Sequence, residues 1–176
     1  MRGLEAVIDG VIGGAGWVAK ASALLIVLVV TGNVLMRYGF SMGTVALQEL
    51  QWHLVPPIAL LGLGYSLHHG EHVRVDVFYE HMRARTRHAV DLVTALLTVL
   101  IALYLAYLSL DFVSHSYRMG ESSSDPGGLP ARYVLKAFLP LGFAVLALQG
   151  VAGGLRCLRS LGWLSDRSAS QRSAGT

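Results

Sequence analysis

Charged residues divide the chain into four long apolar runs separated by short polar stretches. No Asp, Glu, Lys or Arg occurs within residues 21–36, 50–70, 92–110 and 137–155. Each run, with its flanks, approaches the roughly 20 apolar residues that a helix needs to cross about 30 Å of hydrocarbon. Because backbone polar groups in lipid must bond within their own segment, helices are the expected spanning form. The pattern predicts an all-α integral membrane protein with four transmembrane helices.

The predicted spans occupy most of the chain. Their approximate limits are 17–37, 47–69, 90–114 and 134–156. We therefore expect one membrane domain over residues 1–164, followed by a disordered cytoplasmic tail at 165–176 that is rich in Ser and Arg. The composition agrees, since only 14% of residues are charged, against about 25% in soluble domains.

Two amphipathic segments outside the spans predict helices that lie on the membrane surface. The first precedes span one and is followed by a glycine-rich corner at residues 13–16. The second lies between spans two and three. Their apolar faces are formed by Leu4, Val7, Ile8, Val11 and Ile12, and by Val73, Val77, Phe78 and Met82.

The basic residues predict the orientation of the chain. Ten of the 14 Lys and Arg residues lie before the first uncharged run, between the second and third runs, or after the fourth. The positive-inside rule then places both termini and the middle loop in the cytoplasm. Because the basic residues sort by topology, they indicate no nucleic-acid partner.

Glu49 is the ionisable side chain most suggestive of function, because a carboxylate near hydrocarbon must be paired, hydrated or protonated. It either couples proton movement to transport or forms a structural ion pair, for which Arg37 is the candidate partner, or a subunit contact. The tandem prolines Pro56 and Pro57 follow it and predict a kink in span two.

Other polar clusters give weaker signals. A haem needs facing imidazoles at matched depth, but only His53 of the seven histidines is expected within the membrane. His72, Arg74 and Asp76 alternate in the middle loop, as in an anion or metal site or as in ion pairs that order a loop. Cys157 is the single cysteine, so cysteine-based metal clusters are excluded.

No motif for enzyme chemistry is found. The sequence contains no nucleophile with an adjacent base, no phosphate loop and no paired catalytic carboxylates. We therefore expect neither an enzyme nor a bound cofactor or metal. The absence of internal repeats also argues against a complete secondary transporter.

Several segments, in order, resemble the small membrane subunit (DctQ-type small permease) of tripartite ATP-independent periplasmic (TRAP) transporters. The details look closest to the branch labelled mannitol/chloroaromatic or 2-oxo acid transport. The segments are Asn33-x-x-x-Arg37-Tyr38, Ala46-Leu-Gln-Glu-Leu-Gln-Trp-His53, Gly70-Glu-His-Val-Arg-Val-Asp-Val-Phe-Tyr79, Gly120-Glu121 through Asp125-Pro-Gly-Gly-Leu-Pro130, and Lys136-Ala-Phe-Leu-Pro-Leu-Gly142.

The resemblance implies a subunit of a sodium-coupled importer of organic acid anions in the bacterial inner membrane. Its partners would be a large DctM-type permease, which carries the sodium and substrate sites, and a periplasmic solute-binding protein. In such a complex Arg37, Glu49 and Trp52, with His72, Arg74 and Asp76, would serve helix packing or the subunit interface. Glu121 and Arg132 would help to receive the binding protein.

Two other functions remain open from the residues alone. A small proton-coupled exporter would work without partners and would use Glu49 as its proton carrier. A haem or quinone anchor of a redox complex would need deep histidines. The scarcity of such histidines counts against the second.

Overall fold

The computed structural model describes residues 2–69 and 82–173, and every regular element in these ranges is helical. In chain order the elements are α1 (Arg2–Gly39), α2 (Val45–Pro56), a π-helical turn (Pro57–Leu61), α3 (Gly62–His68), α4 (Ala84–Arg118) and α5 (Arg132–Ser173).

Three helices in the described ranges are long and apolar enough to cross a membrane. They comprise Ala6–Gly39, Thr86–Arg118 and Arg132–Arg159, of 34, 33 and 28 residues. The molecule is therefore a helical membrane protein. Elements α2 and α3 and the π-helical turn between them follow one another without a break and form a composite helix. The predicted domain limits and the disordered tail stay predictions.

The composite helix changes its geometry at the proline pair. Pro56 and Pro57 have no N–H, so the carbonyls of Trp52 and His53 lose their α-helical donors. The π-helical turn begins at Pro57, in agreement with the rule that helix irregularities have identifiable causes such as proline. The predicted departure from regular helix lies at this pair.

The prediction of a separate surface helix before a glycine corner is wrong. Helix α1 passes through residues 13–16 unbroken, because its first turns pack on the protein: Ile8 and Ile12 are 3% and 0% exposed. Gly16 seats the ring of Tyr65, which any Cβ at this position would overlap. The second predicted surface helix lies outside the described residues, apart from Met82.

The hydrophobic core joins α1, the composite helix and α5. It contains Ile8, Ile12 and Ala19 from α1, Leu61 from the π-helical turn, and Val145 and Ala152 from α5. Helix α4 adds no side chain to this cluster and packs extensively only against α5 among the described elements. The fold is thus a three-helix core with α4 attached along the outside of α5.

Glycines allow the helices to approach closely. A Cβ on Gly142 would lie 3.3 Å from Cα of Leu60, and a Cβ on Gly64 would lie 2.7 Å from Cγ1 of Val145. Small residues at such crossings strengthen van der Waals packing between membrane helices. They fix the composite helix against α5 and so set the position of Glu49.

Candidate functional site

The polar side chains of the described fold concentrate at one end, which we call the loop end. It consists of residues 119–131, which connect α4 to α5, and the first turns of α2 beneath them. The connection is irregular, so side chains and backbone must satisfy each other's hydrogen bonds when they are buried.

Glu49 is the anchor of the connection. Its side chain is buried, and one carboxylate oxygen accepts a hydrogen bond from the Ser123 hydroxyl. The other oxygen accepts the backbone N–H of Leu129 at 2.5 Å. Nη2 of Arg132 lies 3.8 Å from the first oxygen. Three donors thus surround one acid, which is the arrangement that a buried carboxylate requires.

Glu121 forms a second polar centre, which borders the same cleft as Glu49. Its carboxylate accepts hydrogen bonds from the Lys136 ammonium and from the Ser116 hydroxyl, the latter at 2.6 Å. Its backbone carbonyl accepts the N–H of Arg132 at 3.0 Å. Ser116 is 0% exposed. This centre closes the last turn of α4 onto the first turns of α5.

The pKa of the Glu121 carboxyl is lowered. The largest cause is the hydrogen bond from Lys136, followed by the hydrogen bond from Ser116. The positive charges of Lys136 and Arg132 act in the same direction, whereas desolvation opposes them. Opposite charge and hydrogen bonding both favour the ionised form. Glu121 is therefore a carboxylate at neutral pH.

The turn between the two centres is folded tightly around Glu49. Ser123 N–H donates to the Leu129 carbonyl at 3.2 Å, and Gly128 N–H donates to the Asp125 carbonyl at 3.0 Å. Gly127 has φ of +80°, a conformation that glycine adopts without steric cost. The turn at Asp125-Pro-Gly-Gly thus brings the backbone N–H of Leu129 to the carboxylate.

A cleft of about 520 Å³ opens beside these two centres. His53 lines it, and Nδ1 of this histidine lies 2.8 Å from the backbone carbonyl of Glu49. Nε2 is buried and has no hydrogen-bond partner among the described residues. The other lining residues are Val45, Gln48, Glu49, Trp52, Glu121, Asp125, Arg132, Leu135 and Lys136.

A smaller polar cluster joins α1, α3 and α5 at the opposite end. Nδ1 of His68 lies 2.8 Å from Oε1 of Gln149, and Nε2 lies 3.4 Å from a carboxylate oxygen of Asp9. Lys20 donates to the Tyr65 hydroxyl at 2.8 Å. No group of three or more His, Cys, Asp or Glu side chains placed to hold a metal occurs among residues 2–69 and 82–173. The cluster links helices.

The predicted site residues fall into three sets. Glu49, Glu121 and Arg132 meet at the loop end. Arg37 and Trp52 are exposed, and the cation within 4.0 Å of Glu49 in the described chain is Arg132, not the predicted Arg37. The remaining three, His72, Arg74 and Asp76, lie outside the described residues.

Sequence reasoning missed the partners that the turn supplies to Glu49. Ser123 and Leu129 stand 74 and 80 positions from it in the chain, too far for any local pattern. The signal available was the serine run at residues 122–124 followed by a glycine turn, since such segments supply hydroxyl and N–H donors. The sequence predicted Glu121 at the periplasmic side, but its pairing with Lys136 was also missed.

Comparison with known proteins identifies the family. Residues 26–160 match the family described as "Tripartite ATP-independent periplasmic transporters, DctQ component". The chain is also 26% identical over 154 residues to the ectoine TRAP transporter small permease protein TeaB of Halomonas elongata, covering 81% of this chain and 77% of that protein. The match includes α2, α4 and the loop end. This chain belongs to the DctQ family, the small permease subunits of TRAP transporters.

Proposed function

We propose that this protein is the small permease subunit of a sodium-coupled, binding-protein-dependent importer of an organic acid anion. Family membership carries the proposal, and TRAP small permeases work with a large permease and a binding protein. In this proposal the large subunit holds the substrate and sodium sites, and the present chain holds it in the bilayer. The substrate branch indicated by the sequence motifs stays a prediction.

The composite helix is proposed as the fourth span. From Val45 to His68 it rises about 35 Å at helical spacing, which exceeds the hydrocarbon thickness of about 30 Å. With the distribution of basic residues, four spans give cytoplasmic termini and a loop end that faces the periplasm. The location that fits this topology is a bacterial inner membrane.

A stationary role is supported by the way Glu49 is bonded. A proton carrier must release and rebind its proton, whereas this carboxylate is occupied by Ser123, Leu129 and Arg132. The bonds tie α2 to the connection between α4 and α5. We infer that Glu49 braces the subunit while the large permease moves beside it. Neither the exporter nor the redox anchor is favoured by the family match.

Arg37 and Trp52 are proposed to contact the large subunit. Arg37 is exposed and makes no hydrogen bond or ion pair within the described chain, and 71% of Trp52 is exposed. A polar bond between membrane helices contributes about 0.6 to 2 kcal/mol. Loss of such a bond would measurably weaken the binding of the large subunit. His72, Arg74 and Asp76 keep their proposed role at the subunit interface.

Glu121 and Arg132 are proposed to serve the binding protein indirectly. Both are engaged in shaping the connection, so their effect would be to present a fixed periplasmic surface. Substitution of either residue should then alter docking through the shape of the turn. If the two residues instead contacted the binding protein directly, their substitution would alter docking while the turn stayed intact.

Reconstitution tests the function as a whole. The chain, a DctM-type large permease and a TRAP binding protein are placed in proteoliposomes with an imposed sodium gradient, and uptake of labelled organic acids is measured. Uptake should require all three proteins and the gradient. Transport by this chain alone would overturn the proposal in favour of the exporter.

Assembly tests the proposed interface. Arg37→Ala and Trp52→Ala should each reduce recovery of the large subunit in a pull-down on this chain, with unchanged helicity. Asp111→Asn, an exposed position on α4, is the matched control and should not change recovery. Wild-type recovery for both interface variants would place the contact elsewhere.

A further inference from the structure

We propose that the cleft at the loop end binds the headgroup of a phospholipid that carries a primary ammonium, phosphatidylethanolamine. The volume of about 520 Å³ lies within the roughly 300–1,000 Å³ typical of ligand pockets. The site shares Trp52 with the proposed subunit contacts and is otherwise lined by different residues. It is defined by which of its polar groups are still available.

His53 supplies the first available group. Its Nδ1 faces the Glu49 carbonyl at 2.8 Å, and a carbonyl can only accept, so Nδ1 carries the proton. In neutral imidazole the other nitrogen then holds a lone pair. That nitrogen, Nε2, is buried without a partner among the described residues. A ligand in the cleft that donates an N–H or O–H to His53 would satisfy this nitrogen.

The charges of the cleft favour a cation as that donor. Two of its acids are matched by its two bases, Glu49 by Arg132 and Glu121 by Lys136. Asp125 is left as an exposed carboxylate with no partner for its side chain in the described ranges. The exposed indole of Trp52 borders the same space, and aromatic faces attract ammonium groups.

The bases of the cleft can hold the phosphate of the same headgroup. Lys136 has three N–H donors and Arg132 has five, and their bonds to the chain's own acids use only some of them. The apolar side chains of Val45 and Leu135 complete the lining and suit the glycerol and upper acyl region. Acceptors for an ammonium beside donors for a phosphate match a zwitterionic headgroup.

Three lipids with the same acyl chains separate the contributions. Phosphatidylethanolamine offers N–H donors and a positive charge, phosphatidylcholine offers the charge alone, and phosphatidylglycerol offers no cation. Native mass spectrometry of the purified full chain, with the lipids in pairwise competition, measures the bound ratio. We expect phosphatidylethanolamine to exceed phosphatidylcholine by about tenfold, as for one hydrogen bond from a charged donor.

Two variants locate the effect in this cleft. His53→Phe removes the acceptor and should bring the ratio of phosphatidylethanolamine to phosphatidylcholine close to one. Asp125→Asn, at an exposed turn position, should weaken both cationic headgroups and leave their ratio unchanged. Asp111→Asn on α4 serves as control, and far-ultraviolet circular dichroism verifies the helicity of each variant.

The outcomes decide the proposal. A wild-type ratio near one, a ratio that His53→Phe leaves unchanged, or full binding of both cationic headgroups by Asp125→Asn overturns it. Displacement of the lipid by an equal concentration of glycerophosphoethanolamine would show that the cleft takes soluble amines, and would also overturn the lipid assignment. If His53→Phe fails to fold, Asp125→Asn alone decides. The proposal then requires that Asp125→Asn lose phosphatidylethanolamine binding.

Discussion

Gly128 stands so close to Glu49 that a Cβ at this position would lie 2.7 Å from Oε2 of the carboxylate. The same Cβ would overlap the side chain of Ser123. Neither neighbour can withdraw without breaking the hydrogen bond between them. The glycine is therefore part of the anchor, although it contributes no side chain.

Gly128→Ala should destabilise the protein by about 1–3 kcal/mol, as overpacking of a closed site does. Thermal unfolding of the detergent-solubilised chain is the measurement. Gly32→Ala in α1 is the matched control, since nothing lies within 4 Å of its added Cβ. Equal melting temperatures for the wild-type protein and Gly128→Ala would contradict the close packing of the turn.

Glu49→Gln should loosen the connection between α4 and α5. The glutamine amide can still accept the Leu129 N–H and donate to the Ser123 hydroxyl oxygen, but both bonds then lack the carboxylate charge, and the attraction to Arg132 is lost. Limited proteolysis should then cut within residues 119–131 faster than in the wild-type protein. Asp111→Asn, at an exposed position on α4, should leave the cleavage rate unchanged.

The stability of the loop end should depend on pH through Glu121. Lys136, above all, lowers the pKa of this carboxyl in the folded chain below its ordinary value of about 4.5. A lowered pKa stabilises the fold fully above the ordinary value, and the contribution is lost as the pH falls through the lowered one. Amide exchange in residues 119–131 should therefore accelerate as the pH falls below about 4.5.

Glu121→Gln is the test of that assignment. The variant should exchange faster than the wild-type protein at neutral pH and should lose most of the acid dependence. Comparison is made after correction for the intrinsic pH dependence of exchange. An acid response that survives the substitution would assign it to another carboxyl group.

Gly150→Ala should weaken the attachment of α4 to α5. Its Cβ would lie 2.8 Å from Cγ2 of Val99 and 3.2 Å from the carbonyl oxygen of Ala95, and the backbone contact leaves no flexible atom to move aside. We expect a loss of about 1–3 kcal/mol. Gly153→Ala, in open space on the same helix, should be neutral or stabilising because alanine favours helix. Identical effects of the two would contradict the close crossing.

Much of the fold follows from local patterns in the sequence, because membrane helices must be apolar and internally bonded. The absence of charge over residues 92–110 is sufficient to predict α4, and Pro56 and Pro57 predict where the composite helix departs from α geometry. The error at residues 13–16 has a tertiary cause. Burial of Ile12 and the fit of Gly16 against Tyr65 keep α1 continuous where glycine propensity predicts a corner.

The sequence predicts which types of residue lie at the loop end, but it does not predict which of them bond to each other. A carboxylate near hydrocarbon indicates that a partner exists, but several basic residues lie at the same face. Arg37 is nearer to Glu49 in sequence, whereas Arg132 reaches it in space. Hydroxyl and backbone donors from a turn 74 to 80 positions away become known only once α5 is packed against the composite helix.

The attachment of α4 along the outside of α5 has a mechanical consequence. A force applied to α4 by a neighbouring protein reaches the composite helix by two parallel routes, through the length of α5 and through the turn fastened to Glu49. Loss of the second route would leave α4 free to pivot about its long contact with α5. The Glu49 carboxylate thus determines how rigidly a force applied to α4 is transmitted across the subunit.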